Sequence, residues 1–168
     1  GIEQWVTIRG EDADNPVLLV VHGGPGFAMS AFADEFVPIE GDFTVVQWDQ
    51  RGAGRTFAHN DRSAPDLSID RIAQDGVELG AYLKDRLGSR PIVVLGHSMG
   101  SVTAVEMVQR APELFAAYVG TAQFVSFQKT VRAQLAYLRA ISDEAGDTAL
   151  ASRLDGIGAA DPATIQDF

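Results

Sequence analysis

Pro91-Ile92-Val93-Val94-Leu95-Gly96-His97-Ser98-Met99-Gly100-Ser101 is the stretch that decides the fold. Its first half is a short aliphatic run opened by proline, which a strand tolerates at its first position, where the missing N–H costs little. Its second half is Gly-x-Ser-x-Gly, and Met99 to Ala111 continues as a largely apolar helix halted by Pro112. A buried strand, a sharp turn and a helix form the setting in which such a serine is held above the sheet edge as a nucleophile. The flanking glycines let the turn tighten without a Cβ clash. The backbone N–H of Met99 then faces Ser98, and the positive end of the helix points the same way. An ordinary Gly-rich strand-to-helix turn is the plainer alternative; the position between strand and helix favours the nucleophile.

Two more Gly-rich stretches follow aliphatic runs. Val17 to Val21 suits a strand buried on both faces of a parallel sheet, and it ends in His22-Gly23-Gly24-Pro25-Gly26. Acyl transfer needs two backbone donors at the carbonyl oxygen as it becomes an oxyanion. Met99 offers one; Gly24, with Gly23 as the alternative, offers the other, since glycine lets the main chain approach closely. His22 is expected to fix this loop by hydrogen bonds and Pro25 to shape it. The spacing of a Walker or dinucleotide loop is absent. The strand Phe43–Trp48 leads into Asp49-Gln50-Arg51-Gly52-Ala53-Gly54-Arg55-Thr56. Here an internal ion pair made by Asp49 and Arg51 is expected to support the rim of the site rather than touch substrate.

Further out, Trp5–Arg9 alternates like a half-exposed strand, and a helix is expected over 30–39, stopped by Gly41. Residues 49–67 read as a polar loop. Ser68 is an N-cap for a helix to Leu87, ended by Gly88, and Phe115–Thr121 is another strand. Strands separated by helices give an α/β class with a parallel sheet. From residue 122 the pattern changes: Phe124, Phe127, Val131, Leu135, Leu138 and Ile141 form one apolar stripe on a long helix, followed by a short helix over 147–155 and a turn-prone stretch over 156–162. The chain therefore divides at 1–121 and 122–168.

Composition narrows the chemistry. The 168 residues contain no cysteine, which excludes a disulfide scaffold, a thiolate metal site and a catalytic cysteine. With 13 Lys+Arg against 23 Asp+Glu the net charge is −10, which argues against nucleic acid as a partner and mostly serves solubility. No apolar run is long enough to cross a bilayer, so no membrane partner is expected. No basic-then-apolar leader pattern is read at the start, and a cytoplasmic location is the expectation. No metal or organic cofactor is implied.

In their order, HGGPG, WDQRGAGRT and GHSMGS resemble the proline iminopeptidase branch of the α/β-hydrolase superfamily, from about Val17 to Thr121. The resemblance implies Ser98 as nucleophile and Met99 with Gly24 as oxyanion donors. It also implies a helical cap beginning where the apolar stripe begins, and a small peptide or ester as substrate. His97 and Met99 flanking the serine are common across esterases, which keeps an esterase or carbon–carbon bond hydrolase as the nearest alternative. A serine rather than an aspartate nucleophile argues against the haloalkane dehalogenase and epoxide hydrolase branches.

The superfamily order is Ser, then Asp or Glu, then His, and no histidine follows Ser98. His22 belongs to the oxyanion loop, His59 is expected to be solvated in a loop, and His97 is expected to be buried against the sheet. Asp143, Asp147, Asp155, Asp161 and Asp167 all fall in the expected cap. The α/β-hydrolase core is therefore expected to be incomplete, lacking its later strands and a second N-terminal strand. The partner completing it is expected to be the C-terminal half of the same enzyme. By itself the chain is expected to be inactive, or to act by association.

Overall fold

The computed structural model describes residues 1–63 and 66–158. The chain divides into two compact units, Gly1–Phe124 and Val125–Phe168. In the first, five strands form one sheet: β1 (Trp5–Arg9), β2 (Val17–Val21), β3 (Thr44–Asp49), β4 (Ile92–His97) and β5 (Ala117–Thr121), in the order β1-β3-β2-β4-β5. Four strands run parallel. This agrees with the α/β class and parallel sheet expected, and β1 adds an antiparallel edge strand beside β3.

β2 explains the layering. All five of its residues are buried, and successive side chains alternate between faces. Val17, Leu19 and Val21 join Val46, Trp48, Ile92 and Val94 on the face covered by α2 (Ile69–Leu87) and α3 (Met99–Arg110). Leu18 and Val20 join Val45 on the other face, against Met29, Phe36 and Ile39. The helices of the first face meet tightly, because Gly76 of α2 leaves the space that the Met107 side chain of α3 fills. β4 is buried only at alternate positions, since Val93 and Leu95 face the less covered side.

Ser68 caps α2 by accepting from the Arg71 N–H at 3.2 Å, and Gly88 ends it in the left-handed conformation, φ 79°. The helix expected over 30–39 is instead a 3-10 segment, Met29–Ile39, broken at Phe32 and holding Pro38. The proline lacks the N–H a regular helix needs. The loop expected over 49–67 contains a helix, α1 (Gly54–His59). Its capping group comes from outside the helix: Asp49 Oδ2 accepts from the Arg55 N–H at 2.8 Å.

Among the described residues, the second unit is a pair of helices, α4 (Phe127–Ala145) and α5 (Thr148–Gly158). Ser126 caps α4, so Phe124 lies before the helix rather than on its stripe, and Leu138 and Ile141 remain exposed. Gly146 ends α4, and Asp147 starts α5 by accepting from the Leu150 N–H at 2.9 Å. Arg139 of α4 pairs with Asp143 and with Asp155 of α5. Asp161, Asp167 and the end of the turn-prone stretch lie outside the described residues, as does the Phe127 side chain.

Candidate active site

Strand register brings the three Gly-rich stretches together. Val21 lies beside Gly96 on one side and Trp48 on the other. The segments following β2, β3 and β4 therefore leave the same, carboxyl, end of the sheet, where open α/β sheets hold their ligands.

Ser98 stands between the end of β4 and the start of α3. Its φ of 52° and ψ of −125° form a backbone conformation that L-residues avoid. Serine before a helix ordinarily caps it from an extended conformation, yet the Ser98 side chain makes no capping bond to α3. The turn is fixed through its main chain: the Ser98 N–H donates to Thr121 O at 2.9 Å, and the Ser98 carbonyl accepts from the Ser101 N–H and from Ser101 Oγ at 2.6 Å. Ser101 is fully buried and in turn accepts from the Phe124 N–H at 3.1 Å. Its spacing, three residues after Ser98, is the signal that marks it, and sequence reasoning passed over it.

The Gly-rich loop after β2 presses on this turn. A Cβ on Gly23 would sit 2.7 Å from His97 O, 2.8 Å from Ser98 Cβ and 3.2 Å from Met99 N. A Cβ on Gly100 would sit 2.1 Å from Val21 O and 2.4 Å from His22 O. Each glycine is thus required by close approach of the other segment. Gly24 follows with φ 121°, joined to Pro25 by a cis peptide bond.

His22 anchors the loop from beneath. It is 2 % exposed; its Nε2 accepts from the Gln50 N–H at 3.2 Å and its Nδ1 lies 3.0 Å from Gly23 O. A ring nitrogen that accepts from an amide carries no proton, so the proton is on Nδ1 and is donated to Gly23 O. Burial pushes the His22 pKa below its ordinary value, against the smaller upward pull of the Gly23 carbonyl and Asp49. Gln50 Nε2 donates back to His22 O at 2.9 Å, closing the link between the two loops.

The rim differs from expectation. Arg51 does not pair with Asp49; it makes a buried, two-pronged ion pair with Asp75 of α2, Nε to Oδ2 at 2.8 Å and Nη2 to Oδ1 at 3.0 Å. Arg71 also reaches Asp75. Asp49 is used locally to cap α1, and its Oδ1 is buried without a hydrogen-bond partner among the described residues. Adjacency misled here: planar guanidinium–carboxylate pairing needs facing geometry, which a residue 24 positions away on α2 supplies.

The other histidines are engaged elsewhere. His97 is half-buried rather than buried, its Nδ1 3.0 Å from Thr121 Oγ1, because β4 presents it on the thinly covered face. His59 lies in the last turn of α1 rather than in a loop, exposed and paired with Glu3. Among the described residues, no group of three or more His, Asp or Glu could hold a metal ion, and no helix is long and apolar enough to cross a membrane.

Comparison with known proteins agrees with this geometry. The profile of the alpha/beta hydrolase fold family matches residues 16–150. The chain belongs to the alpha/beta hydrolase fold family. Within this family it is 32 % identical over 142 residues to the probable aminopeptidase YbaC of Bacillus subtilis (strain 168), covering 84 % of this chain and 44 % of that protein. It is 30 % identical over 107 residues to the proline iminopeptidase of Lactobacillus helveticus, covering 62 % of this chain and 34 % of the relative. Among solved structures, the alpha/beta hydrolase fold recurs in a proline iminopeptidase-related protein from Thermus thermophilus, with TM-score 0.53 and 27 % identity over 70 % of this chain and 39 % of the other. A carboxyl esterase from Bacillus coagulans shares the fold with TM-score 0.65 at 19 % identity, covering 84 % of this chain and 46 % of the esterase. The chain thus spans less than half the length of these relatives. The family is one of hydrolytic enzymes, and aminopeptidases and esterases both occur among the similar proteins.

Proposed function

We propose that this chain carries the nucleophile and oxyanion side of a serine hydrolase acting on acyl bonds, most closely a proline iminopeptidase-like aminopeptidase. The observation that carries it is Ser98 itself: a helix-preceding serine in a strained conformation whose side chain does no capping. Strain of this kind costs about 1–3 kcal/mol and persists where the surroundings over-determine it, typically at functional sites.

In the proposed reaction, Ser98 Oγ attacks the substrate carbonyl carbon while its proton passes to a histidine outside these 168 residues. The N–H groups of Met99 and Gly24 stabilise the oxyanion. The amine leaves with the proton, and water then hydrolyses the acyl-enzyme and regenerates the hydroxyl. His22, Gly23, Pro25, Asp49 and Arg51 act through the main chain they position. An external base is part of this reading, supported by His22 being held between Gly23 and Gln50 and by His59 and His97 having other partners. The remainder of the same enzyme is the partner that would supply it, and the helices from Val125 onward are read as the start of its cap. A cytoplasmic location is part of this proposal.

The aminopeptidase relatives support a small peptide with a free N-terminal residue as substrate. An esterase or carbon–carbon bond hydrolase is the alternative. Turnover of a prolyl anilide against a p-nitrophenyl ester by the full-length protein separates them. Preference for the anilide is expected, and hydrolysis of the ester alone would overturn the peptidase assignment. For the 168 residues standing alone, the engaged histidines favour a non-catalytic role by association.

A further inference from the structure

Beside the oxyanion loop two aromatic rings lie in the open. Phe27 and Phe32 stack with ring centroids 5.5 Å apart and planes 21° from parallel. They are 57 % and 45 % exposed. Packing among the described residues does not account for rings so exposed. Two large apolar side chains held together in water also lose the hydrophobic gain that burial would return.

Their main chain is fixed to the candidate site. The Phe27 N–H donates to Gly23 O at 3.2 Å, and Gly23 is the residue whose Cα faces Ser98 Cβ and Met99 N. Two residues on, Met29 O accepts from Nε2 of the buried Gln47 of β3 at 3.1 Å. The break in the 3-10 segment falls at Phe32, with φ −115° and ψ 31°, where the second ring leaves the chain. The main chain is thus held by hydrogen bonds on both sides of Phe27, and Phe32 stacks on a ring so placed, which lowers the ordering cost of binding against it.

We propose that Phe27 and Phe32 form a specificity shelf that takes a planar, uncharged ring of the substrate, on either the acyl or the leaving-group side of the scissile bond. The proposal rests on the reading of Ser98 as nucleophile, since that reading puts the scissile carbonyl beside Gly23. Rings offer a stacking face to a ring and little to a short alkyl group. Discrimination is therefore expected between ring-bearing and ringless esters of the same chemistry.

The test is binding to the full-length Ser98→Ala protein, with affinities for ethyl acetate, benzyl acetate and ethyl phenylacetate measured by saturation-transfer NMR. Phe27→Ala and Phe32→Ala, each added to that background, are expected to weaken a ring-bearing ester about three- to tenfold and leave ethyl acetate unchanged. Loss confined to benzyl acetate places the ring on the leaving group; loss confined to ethyl phenylacetate places it on the acyl side. Phe27→Leu and Phe32→Leu keep the apolar bulk and serve where alanine prevents folding, with the same loss expected. Equal weakening of ringed and ringless esters, or no weakening of the ringed ones, overturns the shelf. Labelling of the wild-type protein by a small alkyl fluorophosphonate is read separately. Absent labelling with ring discrimination intact would fault the nucleophile and spare the shelf.

Discussion

Three serines in this chain stand immediately before a helix, and they are not used alike. Ser68 (φ −62°, ψ 147°) and Ser126 (φ −155°, ψ 114°) are extended and cap α2 and α4 through their side chains. Ser98 has positive φ and caps nothing. The first two turns spend the hydroxyl on the helix. The third keeps it out of that role, at the cost of local strain, and enforces the strain with neighbouring main chain. The Ser98 turn thus depends on how the surrounding segments hold it, whereas Ser68 is held by bonds close in sequence, its hydroxyl accepting from the Arg71 N–H and donating to Asp66 Oδ1 at 2.6 Å.

The sharpest way to break this contrast is to push the supporting segments apart. Gly100→Ala places a Cβ 2.1 Å from Val21 O, which is backbone of the central strand and cannot move aside cheaply. A loss of about 3 kcal/mol is expected in urea unfolding. A loss below about 1 kcal/mol would show that the elbow tolerates relaxation and that its strain is not imposed.

Next in size is the proton on His22, which holds the neighbouring loop. Its folded pKa lies below the unfolded value of 6.5. Below pH 6.5 the unfolded chain therefore gains a proton the native protein refuses. Stability should fall as pH drops from 6.5 toward the folded pKa, by up to about 1.4 kcal/mol per pH unit. Urea midpoints between pH 7 and pH 5.5, wild type against His22→Asn, isolate this contribution. Parallel curves for the two proteins would remove His22 from the account.

Smaller effects test the serines directly. Ser68→Ala should cost about 1 kcal/mol, the ordinary loss of an N-cap. Ser98→Gly should stabilise by about 1 kcal/mol, because glycine adopts positive φ freely and relief of strain exceeds its extra unfolded entropy. Thermal unfolding of the two variants checks both signs. Destabilisation by Ser98→Gly would show that the positive φ at Ser98 stores no strain.

What the sequence disclosed follows from how local each signal is. Val17–Val21 and Ile92–Leu95 are aliphatic runs bounded by glycine or proline, and Ser68 with Gly88 brackets α2, so composition and caps sufficed there. Helix α1 was hidden because Gly54 and Arg55 look like loop and its capping carboxylate, Asp49, belongs to the preceding strand. The partner of Arg51 was hidden because Asp75 lies on another element, and only tertiary structure brings them together. Ser98, Gly23 and Gly24 were legible as a motif, while the reason Gly23 must be glycine appears only where it meets Ser98 and Met99.

The most direct test of the central claim is covalent. The full-length protein is treated with a fluorophosphonate, and the modified residue is located by peptide mass spectrometry, with Ser98→Ala as control. Stoichiometric phosphonylation at Ser98, abolished in the variant while Ser68 and Ser126 stay unmodified, is the predicted result. Modification at another serine, or none at Ser98 in a folded protein, would contradict the assignment.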